Sequence, residues 1–348
     1  MEGQTALVLA AQNGDQMAFN RLVEPYQREL LVHCYRMLGS LNDAEDLVQE
    51  TLIRAWEKRA SLSNPGSYRA WLYRIATNLC LNTLARTPRR SLPTETYPQT
   101  DPTRPGPSAL REPIWLEPFP DELLADQGSD PQDRALQHEH ISLAFLMALQ
   151  HLTPTQRAIL LLREVLEWPA AEVAEWLNLS VPAVNSALQR ARQALQQIQQ
   201  GKEAPAPSRG FDINALLNRY VALWEQADIP GFVALLREDA WFTMPPRPIW
   251  FQGRADIATM LQTSIFMPGR KRRLLPTRAN GSPAFGLYQQ EAGTDGYQLL
   301  GLIVLGIAGE QIGNLVAFLD PASLSAFALP PTFPGSSLSP RINSDVKE

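Results

Sequence analysis

The sequence predicts a multidomain chain: two all-α domains, then an α+β domain. Three observations predict it. Apolar residues recur at three-to-four spacing from Thr5 to about Arg90 and again from about residue 134 to 200. Proline-rich, polar stretches break the chain at 92–133 and 201–209. Beyond residue 210 the pattern turns from helical spacing to strand-like runs. The chain has 348 residues, 45% of them hydrophobic, enough for two or three cores. The expected division is therefore 1–91 helical, 92–133 linker, 134–200 helical, 201–209 linker, 210–335 α+β and 336–348 a disordered tail.

In the first domain, Leu7, Ala10 and Ala11, then Phe19, Leu22, Val23 and Tyr26, then Leu30, Leu31, Cys34, Tyr35 and Leu38 form successive core stripes. The next helix, Asn42 to Trp56, carries Asn42 as the expected cap, with Glu45 completing a capping box. Its apolar stripe is Ala44, Leu47, Val48, Thr51, Leu52, Ala55 and Trp56, and its polar face is Asp43, Asp46, Gln49, Glu50 and Arg54. Such a face is either solvated or a docking surface. A basic, polar loop follows from Lys58 to Gly66, which includes Arg59, Ser61 and Asn64. Ser67 is the expected cap of a helix from Tyr68 to about Arg86, with Tyr68, Trp71, Leu72, Ile75 and Leu79 facing inwards and Arg69, Tyr73, Arg74, Asn78 and Asn82 available. Rings, cations and amides beside a basic loop suit single-stranded nucleic acid, because rings stack on unpaired bases while cations hold phosphate. The same aromatics also suit a core.

The 92–133 linker is proline-rich and acidic, and is expected to be largely unfolded on its own, except that Ile114 to Asp121 is aromatic enough to dock on a neighbour. Thr153-Pro154-Thr155-Gln156 starts a helix with a capping box, a second helix spans about Pro169 to Leu177, and Ser180 caps a third. This is helix-turn-helix patterning, with Ser180, Ala183, Asn185, Ser186, Gln189 and Arg190 outward on the third helix and Arg192 on its flank. Those side chains can reach base edges and phosphates in a major groove. Glu164, Glu167, Glu172 and Glu175 nearly balance the local arginines, so the module alone binds DNA poorly and needs a larger partner.

These two helical halves resemble the extracytoplasmic-function group of the sigma-70 family of bacterial RNA polymerase sigma factors. The resemblance rests on Asp43 to Thr51 with Arg54-Ala55-Trp56, on Trp71 to Ala76 with Asn78, and on Leu152-Thr153-Pro154, Gln156-Arg157, Val184-Asn185-Ser186 and Gln189 to Arg192. It implies that the first domain is a sigma region 2 bundle and the second a region 4 helix-turn-helix. It further implies that Asp43, Asp46, Gln49, Glu50 and Arg54 meet the clamp helices of the polymerase's largest subunit. Arg59, Ser61, Asn64, Arg69, Tyr73, Arg74 and Asn78 would open and read the -10 element, and the helix from Ser180 would read -35. Glu167 and Asn178 stand where that family often has glycine.

The C-terminal part resembles the SnoaL-like branch of the nuclear transport factor 2-like fold, a curved antiparallel sheet wrapped on helices into an α+β cone. The residues that carry this are Tyr220 with Trp224, Met244-Pro245-Pro246, Trp250 to Arg254, Ala279 to Ala284 and Phe318 to Pro321. Sigma factors with such a domain form recognised groups in which it regulates the sigma factor in cis, through contact with the sigma domains. Trp224, Trp241, Met244 and Trp250 are candidates to line a ligand cone, or are simply core. Relatives of this fold include cyclases and isomerases, so a small-molecule enzyme or sensor fused to a DNA-binding module is the alternative. Asp228, Asp239, Asp256, Asp295 and Asp320 are the acids available, with no pair marked by spacing, and all four histidines lie outside the domain. His138 and His140 lack a third ligand nearby, so no metal site is expected, and no cofactor. Cys34 and Cys80 sit among apolar residues, as buried thiols do in a reducing cytoplasm. The longest apolar run, near Leu299 to Ala308, is too short to span a bilayer, and the expectation is a cytoplasmic protein with no membrane partner.

Overall fold

The computed structural model describes residues 2–61, 67–110, 115–124, 140–199, 208, 210–290 and 296–334. The expected tail at 336–348, Asn64, His138, Asp295 and most of the 201–209 linker lie outside the described residues. The chain divides into two units, Met1–Arg90 with Ala144–Gln200, and Ser91–Leu143 with Gly201–Glu348. Both helical halves thus fall in one unit, and the intervening linker goes with the C-terminal one.

The first unit opens with α1 (Glu2–Gln12), α2 (Gln16–Val23), α3 (Gln27–Leu38), α4 (Leu41–Glu57) and α5 (Tyr68–Leu84). Gly39, at φ 71°, ends α3 in the left-handed conformation, and the next residue, Ser40, caps α4 by accepting from Asp43 N at 3.1 Å. The expected cap, Asn42, lies inside the first turn instead. The reason is the brevity of the connection: once glycine closes α3, only Ser40 stands in extended geometry. Ala44, Val48, Thr51 and Ala55 are buried against α3 and α5, while Leu47, Leu52 and Trp56 are half-buried. Cys34 and Cys80 are free thiols fully buried in this core. Burial, and then a hydrogen bond with Cys34, pushes the Cys80 thiol well above its ordinary range, which keeps it unreactive.

The same unit continues with α7 (Leu143–Gln150), α8 (Pro154–Leu160) extended by a π turn to Val165, α9 (Ala170–Leu177) and α10 (Val181–Gln199); α6 (Pro93–Thr96) belongs to the other unit. Thr153 and Gln156 form the expected capping box. Arg157 joins the two halves: buried to 3% exposure, it donates from Nε to Leu149 O at 3.0 Å and from Nη1 to Met37 O on α3. Burial, reinforced by the nearby Arg89 charge, lowers its pKa to about 10.

In the second unit, α11 (Ile213–Glu225), α12 (Ile229–Ala234) and α13 (Arg254–Met260) accompany a seven-stranded sheet. The strands are β1 (Leu236–Thr243), β2 (Trp250–Gln252), β3 (Lys271–Ala279), β4 (Ser282–Gln290), β5 (Tyr297–Ala308), β6 (Gln311–Phe318) and β7 (Thr332–Phe333). Their order is β2-β1-β6-β5-β4-β3, with β7 on β5. All pairs are antiparallel except β1 with β6, so the sheet is mixed. It is a sheet accompanied by helices, as the resemblance to a SnoaL-like, nuclear transport factor 2-like domain implies, but mixed where a wholly antiparallel sheet was expected, because β6 returns beside β1 in the same direction. The β3-β4 hairpin turns on Asn280-Gly281, both at positive φ (55° and 69°), the two-residue turn that this dipeptide favours.

Candidate nucleic-acid interface

The polar face of α4 is presented to solvent at Asp46 and Gln49. Glu50 and Arg54 pair with one another, Oε1 to Nε 2.6 Å, as i,i+4 neighbours. Asp43 is differently placed. Its carboxylate receives Arg90 Nη2 at 2.7 Å, so it is tied to the end of the first domain rather than free on the face. Ile53, 54% exposed, lies on this same stretch and went unnoticed in the sequence, because a single outward isoleucine looks like ordinary surface there. The face therefore combines carboxylates with one apolar contact point.

On α5 the structure assigns the two sides differently from the sequence. Tyr73, expected to be available, is 1% exposed and its hydroxyl donates to Glu29 Oε2 at 3.2 Å. Burial, and then the Glu29 carboxylate, pushes its phenol above the usual range. Trp71 and Ile75, expected inward, instead line a groove together with Arg74 and Asn78. The phase is set by the 71, 74, 75, 78 spacing, one helical stripe, while Leu72, Ala76, Leu79 and Cys80 fill the core. Arg69 donates to Glu29 at 2.8 Å and its guanidinium lies 5.1 Å from the Tyr73 ring centre. Arg59 stacks 4.1 Å from the Trp56 ring centre and donates to Trp56 O at 2.8 Å, and Ser61 is exposed, bonded to Lys58 O at 2.7 Å. Among the described residues, Lys58, Ser61, Trp71, Arg74 and Asn78 thus bring cations, an indole and an amide to one surface.

The helix-turn-helix has its expected form. Asn178 takes the left-handed turn at φ 53°, and Glu167 does the same at φ 56° before Trp168. Ser180 accepts from Ala183 N at 3.3 Å to start α10. Val184, Ala187, Leu188 and Ala191 are buried, whereas Ser180, Asn185, Ser186, Gln189, Arg190 and Arg192 are exposed and Ala183 is half-buried. Arg190 donates to Ser186 Oγ at 2.8 Å, which steadies both on the outer face, while Arg192 pairs with Glu164 at 2.5 Å. Leu179 and Val181, also exposed, add apolar contact at the start of the helix.

Residues 22–90 match the family described as Sigma-70 region 2, and residues 142–195 that described as Sigma-70, region 4. The ECF RNA polymerase sigma factor SigG of Mycobacterium tuberculosis is 44% identical over 337 residues, covering 93% of this chain and 88% of that protein. The chain belongs to the ECF sigma factors of RNA polymerase. The ECF sigma factor SigW of Bacillus subtilis is 31% identical, with 52% of this chain and 89% of its own length matched. The crystal structure of Mycobacterium tuberculosis SigJ, an extracytoplasmic-function sigma factor, shares the fold at a TM-score of 0.55 and 23% identity, covering 88% of this chain and all of that one.

This sigma factor holds its inter-domain linker on its C-terminal unit. The described parts of 91–124 are not a free coil: Leu116 N donates to Ser91 O at 3.1 Å, Trp250 Nε1 donates to Tyr97 O at 2.8 Å, and Gln99 reaches Asp256 at 2.7 Å. The aromatic island docks on the β3-β4 turn. Fully buried Asn280 accepts from Phe119 N at 3.0 Å and donates from Nδ2 to Ile141 O at 2.9 Å, and Asp121 meets Gly281 N at 2.8 Å and Arg278 at 3.1 Å. The island's aromatic character led to this expectation, and Leu116 and Phe119, each 0% exposed, supply the buried surface that holds the segment.

The four cone candidates are accounted for separately. Trp224 and Met244 are core, with Trp224 in a ring cluster with Tyr220, Phe232 and Phe266. Trp250 is engaged by the linker, and Trp241 is half-buried on β1. Among the described residues Tyr220 Oη and Trp224 Nε1 find no hydrogen-bond partner, and burial pushes the Tyr220 phenol up. Asp228 caps α12 through Gly231 N, Asp320 accepts from Ala322 N, and Asp239 pairs with Arg237. Among the described residues no helix is long and apolar enough to cross a membrane, and no three His, Cys, Asp or Glu side chains cluster as metal ligands.

Proposed function

We propose that the faces of this sigma factor divide promoter recognition among them. As an ECF sigma factor it directs core RNA polymerase to specific promoters, and the surface that Lys58, Ser61, Trp71, Arg74 and Asn78 share carries the reading of how. Asp46, Gln49, Glu50, Arg54 and Ile53 dock on the clamp helices of the largest polymerase subunit. Arg59, Ser61, Asn64, Arg69, Arg74 and Asn78, joined by Trp71, hold the separated non-template strand of the -10 element, with cations on phosphate and the indole against a base. The outer face of α10 reads -35 as duplex, with Ser186, Gln189 and Arg190 on base edges and Arg192 on the backbone. Four glutamates near the helix-turn-helix offset its arginines, so phosphate neutralisation alone is weak and polymerase supplies the rest.

The C-terminal unit regulates in cis, without turnover of its own, in the cytoplasm. Its hold on the linker supports this: the segment joining the two DNA-reading halves is bonded through Asn280, so a change in the C-terminal unit alters the span available to them. Run-off transcription tests both parts. Core polymerase with the full-length chain, on a library of randomised promoters, should yield selected promoter-specific transcripts, and Asn280→Gly should change their yield. No selected promoter would sink the sigma reading, and an unchanged yield the regulatory one.

A further inference from the structure

The start of strand β3 carries a cationic run that neither the promoter readings nor the linker uses. Residues 270–273 read Arg-Lys-Arg-Arg, and β3 is an edge strand of the sheet. Lys271, Arg272 and Arg273 line a groove of about 330 Å³ with Tyr297, the first residue of β5, and with Glu225 and Gln226 at the end of α11. The groove lies outside the aromatic core. Tyr220 and Trp224 are buried in that core, whereas Glu225 and Gln226 come roughly 100° and 200° further round the helix from Trp224.

The charges on this groove are not balanced among the described residues. The Glu225 carboxylate is taken up by Arg273, Oε2 to Nη1 2.7 Å, and its other oxygen receives Leu274 N at 3.4 Å. Lys271 is exposed at the rim. Arg272 is only 6% exposed, yet its acceptors are neutral: Nη1 donates to Ile265 O, Nη2 donates to Gln289 Oε1 at 3.0 Å, and Nε finds no acceptor among the described residues. A buried guanidinium without a carboxylate keeps its full desolvation cost, and burial, followed by the nearby Arg270 charge, lowers its pKa to about 10. Three cations against one carboxylate leave the described lining at net +2.

We propose that this groove binds a small molecule through a dianionic phosphate group. Such a group carries about -1.5 to -2 charges at pH 7, which matches the excess on the lining, and offers three strong acceptor oxygens. Ile265 O and Gln289 hold the Arg272 guanidinium, so its planar donors are set before the ligand arrives, while Lys271 closes the site from the rim as a point charge on a flexible stem. Duplex DNA, the polyanion this protein meets at promoters, fits less well: its backbone reaches Arg270 and Lys271 on the surface but not the buried Arg272. A volume of about 330 Å³ is at the small end of ligand sites, room for a phosphate with a sugar-sized body. A site of this kind gives the C-terminal unit a chemical input beyond its hold on the linker, and depends on neither the -10 nor the -35 assignment.

Phosphorus NMR of the full-length chain without polymerase tests it, with inorganic phosphate and glucose 6-phosphate as probes at constant ionic strength in chloride. The line width of at least one probe should respond saturably to the wild-type protein. Lys271→Ala, at an exposed position that leaves the fold intact, should weaken that binding about three- to tenfold, and Lys271→Ala/Arg272→Gln should weaken it further. Arg237→Gln removes one charge from β1, separated from β3 by three strands, and should bind as wild type. Tighter binding of glucose 6-phosphate assigns a phosphate monoester and tighter binding of inorganic phosphate assigns the free ion; both uphold the site. No saturable response from either probe up to about 10 mM, or equal affinities of wild type and Lys271→Ala, would overturn it. A mixed-sequence duplex that loses affinity on Lys271→Ala while neither probe binds would give this surface to nucleic acid and overturn it as well.

Discussion

Asn280 offers the sharpest test of how the linker is held. Its amide accepts from Phe119 N and donates to Ile141 O, and its backbone sits at φ 55° with the side chain fully buried. Asn280→Ala leaves both partners unpaired in the interior, at about 1 to 3 kcal/mol for each orphaned group. Alanine in the left-handed conformation costs about 1 kcal/mol more. The second unit should therefore lose about 3 to 7 kcal/mol. Asn280→Gly removes the conformational cost and keeps the bond losses, so it should recover about 1 kcal/mol of that. Urea unfolding of the full-length chain reads the difference, and hydrogen exchange across Trp115 to Asp121 localises it. A loss of about 3 kcal/mol corresponds to roughly a hundredfold drop in protection, if the segment opens with the hairpin turn. Unaltered protection of Trp115 to Asp121 in both variants would refute the idea that this side chain anchors the linker.

Three further outcomes are expected. His33 is fully buried against Thr77, 2.9 Å from its hydroxyl, and burial, aided by the Arg36 charge, lowers its pKa to about 3. A base whose folded pKa is depressed must stay neutral to fold, so its effect on stability is absent above about pH 6.5 and grows as pH falls towards 3. The first unit should lose about 2 kcal/mol between pH 6.5 and 4.5 from this group, and His33→Gln should flatten that part of a stability-against-pH curve. Ile53→Asp should leave thermal unfolding unchanged, because the residue is exposed, and weaken association with core polymerase about tenfold in a pull-down titration. Arg190→Ala should cost about 1 to 3 kcal/mol of -35 duplex affinity in the holoenzyme and relax base preference there.

Much of the first unit was legible because helical periodicity and capping chemistry are local. The Thr153 capping box and the left-handed Asn178 turn needed only neighbouring residues. The same locality misplaced the α4 cap: Ser40 and Asn42 are both competent, and the choice was made by how α3 ends at Gly39. On α5 the aromatics Tyr68, Trp71 and Tyr73 point in different directions, so composition could not fix the phase; Glu29, forty-four residues before Tyr73, fixed it by accepting the hydroxyl. In the second unit the longer strands stood out, but β2 and β7 have three and two residues and pair only through partners distant in sequence. The parallel pairing of β1 with β6 was likewise invisible, since no local signal carries it. Within the linker the docking island was legible from its aromatics, whereas Tyr97 and Gln99 were not, because proline and acidic content describe what a segment does alone, while Trp250 and Asp256 hold these two from more than a hundred residues away.

With core polymerase, this chain is proposed to melt promoter DNA through the Arg74 face of α5. Permanganate reactivity of thymines across the -10 region of a selected promoter measures that directly. With core polymerase and the wild-type chain the non-template thymines should become reactive, and Arg74→Ala should suppress that reactivity while polymerase association persists. Thymines that stay unreactive with the wild-type chain, or that open equally well with Arg74→Ala, would contradict it.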